Sequence, residues 1–475
     1  MRFHAPHLAV AATLAATSLL AQPAAPDPTT ALLVQLLRID TSNPPGNEGA
    51  IADFLAPRFR AAGFEVDIIQ TPQPGKAHFI ARLRGDGSKK PLLLAAHADV
   101  VGVEREKWSV DPFAGVIKDG YVYGRGAIDF KGGLAVFAQA ALQLAERKVP
   151  LSRDIILLAE ADEEGGQYNT SVLASEQWAK IDAEFALNEG GWIVQGDDGR
   201  VQYASISTAD KTTHSILLST RGTSTHSSMP LPDNAIFRLT RAMARLADHE
   251  TKVELVPGTR RFFETLARTS TGATSQAFRD LVSDDPMRVA RADSVISRDP
   301  LLHAIMRNTI APVIMNAGFR SNVIPGSAEA TVNVRLLPGV DAERIAQEIR
   351  GVVRDTLVTV KVGAGVPRTL ASAGSSEETA LYKSLEAQLK RQYPTALVTP
   401  YVFQAFTDAG AWRARNVPVY GIYPYAITGE DLRRMHGNDE RVRTQSLVDG
   451  TELIYRVLVD VAGKPGSRAI GARRE

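Results

Sequence analysis

Three short runs, "LLLAA" at 92–96, "IILLAEA" at 155–161 and "FAL" at 185–187, are apolar and are separated by stretches long enough for helices. Strands of that kind have to be buried, and the usual solution is one sheet covered by helices. The intervening patterns supply the cover. "TTALLVQLLRIDTSNPPG" predicts an amphipathic helix ended by a Pro-Gly turn, and "AIADFLAPRFRAAGFEVDII" a helix closed by Gly63 ahead of a strand. A further strand is expected around Leu83 and a further helix from about Lys131 to Arg147. From about residue 28 the chain therefore predicts an α/β layer architecture.

The texture changes near residue 211. "TTHSILLSTRG" predicts a strand, "DNAIFRLTRAMARLAD" a helix, and "SNVIPGSAEATVNVRLL" a strand pair across a Pro-Gly turn. "DAERIAQEIRGVV" then predicts a helix and "VTVKV" a last strand, the order of a small α+β sandwich. Residues 250–310 form a mostly polar, partly helical insertion within it. After about residue 366 the α/β pattern resumes through "ETALYKSLEAQLKRQY", "NVPVYGIYP" and "TQSLVDGTELIYRVLVDVA". The expected organisation is a larger domain in two parts, 28–210 and 366–467, with a smaller domain at 211–365 inserted into it.

The polar residues at the ends of these strands carry the chemistry. His97 and Asp99 follow the first apolar run, Asp129 follows "YGRGAI", Glu163 and Glu164 follow "IILLAEAD", and Glu189 follows "FALN". His436 stands far downstream in "RRMHGNDE". In open α/β sheets functional groups gather beyond the carboxyl ends of the strands. Taken singly, His97 could be a satisfied core histidine and each acid a helix cap or a solvated charge. Together they form a nitrogen and oxygen ligand set. The chain has no cysteine, so thiol nucleophiles, disulfides and thiolate metal sites are excluded, and the set suits zinc, cobalt or manganese.

The remaining composition narrows the partners. With 475 residues, 44% hydrophobic content and a formal charge of +1, the chain is neither disordered nor polyanion-seeking, so nucleic acid is not expected. Arg2, His4 and His7 precede the apolar run Leu8 to Leu20 and an Ala/Pro stretch, Ala21 to Pro28. This predicts an export signal over residues 1–25, with an uncleaved anchor or a tail as the alternative. The run is too short for a comfortable membrane span and no second one exists, so the mature protein is expected to be soluble and secreted or periplasmic.

The segments "HADVVGV…W…DPFAGVIKDGYVYGRGAIDFKGG", "ADEEGG", "NEGG", "GTSTHSSMP", "NVIPG" and "HGNDE" follow one another as they do in the co-catalytic zinc exopeptidase family. That family contains glutamate carboxypeptidase, aminoacylase, acetylornithine deacetylase and succinyl-diaminopimelate desuccinylase, and the chain resembles it over nearly all its length after the signal. The resemblance implies a mixed sheet covered by helices, with an inserted ferredoxin-like domain that serves as a lid and for dimerisation. It implies two divalent ions, zinc with cobalt or manganese as alternatives, bridged by Asp129. His97 and Glu189 would complete one site, Glu164 and His436 the other. Asp99 would accept the remaining N–H of His97, and Glu163 would act as general base and then general acid. A cis peptide is implied between Asp129 and Phe130.

For the smaller domain the resemblance implies that His226 donates to the developing oxyanion, contributed in dimeric relatives by the partner's lid. Asn322 would be a polar contact to substrate and Arg335 a bidentate clamp for a free carboxylate. Asn333 departs from the pattern, since many relatives carry an aspartate two residues before that arginine. The expected activity is that of an exported dinuclear zinc amidohydrolase or carboxypeptidase-like exopeptidase. It would cleave an amide next to a free carboxylate in N-acyl amino acids or short peptides. The alternatives are a dipeptidase of the same family, or a metal-dependent peptide-binding protein without catalysis, which would not need Glu163.

Overall fold

A computed structural model of the chain describes residues 25–363 and 374–466. Residues 1–24, which make up nearly all of the segment read as an export signal, lie outside it.

Leu92–His97 lies inside a ten-stranded mixed sheet, parallel to Ile155–Glu160 on one side and to Phe185–Asn188 on the other. All six of its residues are buried. Side chains alternate across a strand, and the two faces enter different apolar clusters. Leu92, Leu94 and Ala96 join the helix Lys131–Glu146 and the C-terminal helix Thr444–Ala462. Leu93 and Ala95 join the short helices Thr170–Glu176 and Gly410–Arg413. The sheet is thus helix-covered on both faces, as its apolar runs require, and its parallel strands deliver their polar C-terminal residues to one edge.

The smaller domain is built on a four-stranded antiparallel sheet in the order Thr309–Ala317, Ser327–Leu336, Thr212–Arg221, Val358–Val362. Helices Ala235–Ala247 and Ala342–Val353 pack on one face of it around a separate core that includes Leu239, Val332 and Ile345.

Two local features differ from the sequence reading. The strands flanking Pro325-Gly326 do not pair with each other. Val323–Ile324 pairs with Thr225–His226 in a two-stranded ribbon, while Ser327–Leu336 enters the four-stranded sheet. Proline has no N–H to extend a ladder, so the turn passes the chain from one sheet to another. Thr309–Ala317, unread in the sequence, is an exposed edge strand with a register shift between Pro312 and Ile314.

The insertion at 250–310 also finds its place. Its helices Pro257–Thr269, Gly272–Leu281, Pro286–Ile296 and Pro300–Ile305 bury Phe262, Phe263 and Phe278 in the core of the larger domain. Phe262 meets Tyr203 and Tyr401 edge to face at 5.7 and 5.3 Å. Most of the polar residues on these helices are exposed or half-buried, with Thr259 and Ser275 buried beside the few large apolar side chains on the inner faces.

Candidate metal centre

His97 ends its strand with Nδ1–H donating to the main-chain carbonyl of Asp99 at 3.0 Å; the Asp99 carboxylate stands at 3.7 Å. That bond orients the ring and turns Nε2 inward, 3.0 Å from Asp129 Oδ1 and 3.7 Å from Glu189 Oε2. His436 Nε2 lies 3.1 Å from Asp129 Oδ2 and 3.0 Å from Glu164 Oε1. The two oxygens of Asp129 therefore face two different imidazoles. Two three-residue sets result, His97–Asp129–Glu189 and Asp129–Glu164–His436, each with its ligand atoms within 4.8 Å of one another. A third set, His97–Glu163–Glu164, overlaps both.

The donor chemistry fits divalent cations. Four carboxylates converge on two imidazoles in a largely buried pocket, and buried charge of one sign has to be neutralised. Nitrogen and oxygen donors without sulfur suit zinc, cobalt or manganese. The same crowding of charge shifts the protonation of these groups. Burial pushes Glu163 well above the ordinary carboxylate range, and the Glu189 charge adds to the effect. Burial likewise raises Glu189 to about 7, with Asp129 contributing. The hydrogen bonds of Asp129 and Glu164 raise His436 to about 10. Burial opposes ionisation of Asp129 as well, but the bonds from His436 and His97 outweigh it and hold that carboxyl below its usual range.

The backbone around the cluster is tightly specified. The Asp129–Phe130 peptide is cis. The glycines of "FKGG" let the next helix close on it: a Cβ on Gly133 would lie 2.2 Å from the Phe130 ring. Asp99 holds the adjacent glutamates by their main chain. Its carboxylate accepts from the N–H groups of Glu163 and Glu164 at 3.2 and 3.0 Å and from Asn43 Nδ2 at 2.8 Å. Asn43 also donates to Asp162, which forms a buried ion pair with Lys76. The glutamates thus stand on a loop pinned from below, and the Glu163 side chain makes no hydrogen bond to any described residue.

The sequence reading missed several of these supports. Glu440 accepts from the N–H of Ile128 at 2.7 Å and of Asp129 at 3.1 Å, and pairs with buried Arg125 at 2.7 Å. Arg125 in turn donates to the carbonyl of His436 at 3.3 Å. Glu440 lies in the "HGNDE" segment and Arg125 in "YGRGAI", so both were in view without a role. Tyr423, read only as part of a strand, donates to Glu189 Oε2 at 2.7 Å and Asp129 Oδ1 at 3.1 Å. Nothing in the spacing marks it or Lys76.

The three residues expected from the smaller domain are placed differently. Arg335 is partly buried; burial lowers its pKa from the ordinary guanidinium value, and the Glu163 charge acts the other way. Asn333 gives its amide to Thr213 Oγ1 at 3.1 Å instead of pairing with the arginine. His226 and Asn322 are neighbours on the two-stranded ribbon, where the Ser227 N–H donates to the Asn322 carbonyl at 3.0 Å. Both are exposed, and neither bonds to the carboxylate–imidazole cluster among the described residues. His226 Nδ1 instead meets Ser228 Oγ at 2.8 Å.

A helix-covered mixed sheet that presents such sets at its strand ends defines a metal-dependent hydrolase. The chain belongs to the peptidase family M20/M25/M40, whose profile matches residues 93–460, and it is a metallopeptidase or amidohydrolase of that family. It is 28% identical over 397 residues to the N-fatty-acyl-amino acid synthase/hydrolase of Homo sapiens, covering 80% of this chain and 76% of that one. It is 29% identical over 384 residues to a probable carboxypeptidase S-like protein of Dictyostelium discoideum, covering 78% and 72%. An M20 family metallo-carboxypeptidase from Sulfolobus solfataricus shares the fold, with a TM-score of 0.68 at 19% identity over 91% of this chain and 98% of that one. No helix among the described residues is long and apolar enough to cross a membrane.

Proposed function

We propose that the protein is an exported dinuclear zinc amidohydrolase that cleaves the amide next to a free α-carboxylate in N-acyl amino acids, long-chain ones included, or in short peptides from the C-terminal side. One observation carries the reading: two imidazole–carboxylate sets share Asp129, one oxygen turned to each histidine. His97 and Glu189 would hold one ion with Asp129, Glu164 and His436 the other. Bound there, divalent ions would supply an acidified water and a polarised scissile carbonyl.

The other steps belong to side chains. Glu163, unbonded and raised by burial, suits a group that takes a proton from water and returns it to the amine as the C–N bond breaks. Arg335 would take the substrate carboxylate through two parallel hydrogen bonds, next to the acid–base group. His226 would reach the oxyanion once the smaller domain closes over substrate. Export rests on the apolar run Leu8 to Leu20 behind Arg2.

The test is a panel of short- and long-chain N-acyl amino acids, dipeptides and the corresponding carboxyl amides, assayed before and after dialysis against a chelator. The reading expects hydrolysis of the free acids only, loss on metal removal and recovery with zinc, cobalt or manganese. Cleavage confined to dipeptides with a free amino group would favour the dipeptidase alternative. Binding without turnover would favour a non-catalytic peptide-binding protein.

A further inference from the structure

Tyr423 is 1% exposed and held on three sides. Its ring stacks on Trp192, centroids 4.3 Å apart and planes 10° apart, and meets Phe130 edge to face at 5.1 Å. Its main-chain N–H donates to the Gly191 carbonyl at 2.7 Å. The aromatic packing leaves the hydroxyl one direction to point, between Glu189 Oε2 and Asp129 Oδ1. A phenol has one hydrogen, and an ionised carboxylate can only accept, so this single donor is shared between two candidate ligands of the same ion.

Among the described residues the other set has no such hydroxyl donor: the Glu164 side chain hydrogen-bonds to His436 alone, and the His436 side chain is 48% exposed. Donors behind ligating carboxylates orient them and set how well they hold an ion.

On the reading that these sets bind metal, we infer that Tyr423 is a positioning residue that sets the affinity of the His97–Asp129–Glu189 set selectively. By holding Glu189 and the His97-facing oxygen of Asp129 in fixed rotamers, it makes that position the tighter of the two. Asp129 presents its other oxygen to His436, so loss of the hydroxyl reaches the second set only through a shared hinge.

Tyr423→Phe tests this, because the ring and its stack remain. Cobalt titration of the metal-free protein, followed by visible absorption and by competition with a chelator, gives a dissociation constant for each equivalent. Tyr423→Phe should weaken one equivalent by roughly 10- to 100-fold and the other several-fold less. Tyr420→Phe is the control. Its buried hydroxyl bonds Thr379 and Ser376, away from the cluster, so it should lower thermal stability comparably and leave both constants at the wild-type values. Tyr423→Phe protein that binds both equivalents as the wild type does, or weakens both equally, overturns the inference alone. Wild-type protein that takes up no divalent ion overturns the metal reading and this inference with it.

Discussion

The carboxylate–imidazole cluster and the His226–Asn322 ribbon are built in opposite ways. In the cluster each functional group has a support: Asp99 beneath Glu163 and Glu164, Glu440 behind Asp129, Tyr423 behind Glu189. On the ribbon, His226 and Asn322 are exposed, and their hydrogen bonds among the described residues run to neighbouring residues of the ribbon and its turn, such as Ser228. Charge chemistry needs groups fixed before substrate arrives. A recognition element that must admit substrate and then close over it cannot be buried beforehand. On the proposed reading the first region does the chemistry and the second closes over substrate, and each role can be broken separately.

The largest effect should come from Glu163. Glu163→Gln should lower kcat by roughly 100- to 10,000-fold with both metal equivalents retained, as measured by steady-state kinetics beside metal analysis. Loss of an equivalent would move Glu163 from acid–base work to ligation. His226→Ala comes next, at roughly 100- to 1,000-fold in kcat if it stabilises the oxyanion, with metal binding unchanged. Co-expressing inactive His226→Ala with inactive Glu163→Ala sharpens the point. Substantial recovered activity places His226 in the partner's site, whereas background activity in confirmed heterodimers places it in its own chain or removes it from catalysis.

Arg335→Lys should be milder. Replacing a planar fork by a point charge removes one of two charge-assisted bonds, so KM for free-acid substrates should rise about tenfold while kcat changes little. A fall in kcat at constant KM would mean that the guanidinium, whose charge interacts with that of Glu163, tunes the acid instead of holding the substrate.

The smallest effect is a proton count. With its pKa raised to about 10, His436 in the metal-free protein is protonated at neutrality. Its contribution to stability is present below the unfolded value of about 6.5 and is lost as pH rises through about 10. Metal must displace that proton. Calorimetric titration at about pH 8 in buffers of different ionisation enthalpy should therefore show proton release on metal uptake. None would mean that His436 is not a ligand.

The contrast between the two regions also explains what the sequence made legible. The sheet could be read because Leu92–Ala96, Ile155–Ala159 and Phe185–Leu187 are apolar on both faces, and only a covered sheet accommodates that. The cluster could be read because its members stand at the ends of those strands. The supports could not. Tyr423, Lys76 and Asn43 reach the site by packing across distant elements, and a buried hydrogen bond leaves no spacing in the chain. The 250–310 insertion was legible as partly helical, but its place was not: Phe262, Phe263 and Phe278, on two of its four helices, anchor it, too sparse a pattern to reveal which core it joins. The resemblance implied that the Asp99 carboxylate accepts from His97, but the His97 Nδ1–H bonds the Asp99 main-chain carbonyl. That carboxylate chiefly accepts from the Glu163 and Glu164 main chain, a bond set by the fold of a loop some sixty residues away.

On the proposed reading Asp129 bridges two divalent ions, one beside His97 and Glu189, the other beside Glu164 and His436. Anomalous diffraction at the zinc edge from crystals of the metal-loaded protein tests it most directly. Two peaks about 3.5–4 Å apart, one against each oxygen of Asp129, are expected in the wild type, and neither in Asp129→Ala. A single peak, a pair that does not straddle Asp129, or two peaks that survive Asp129→Ala would contradict it.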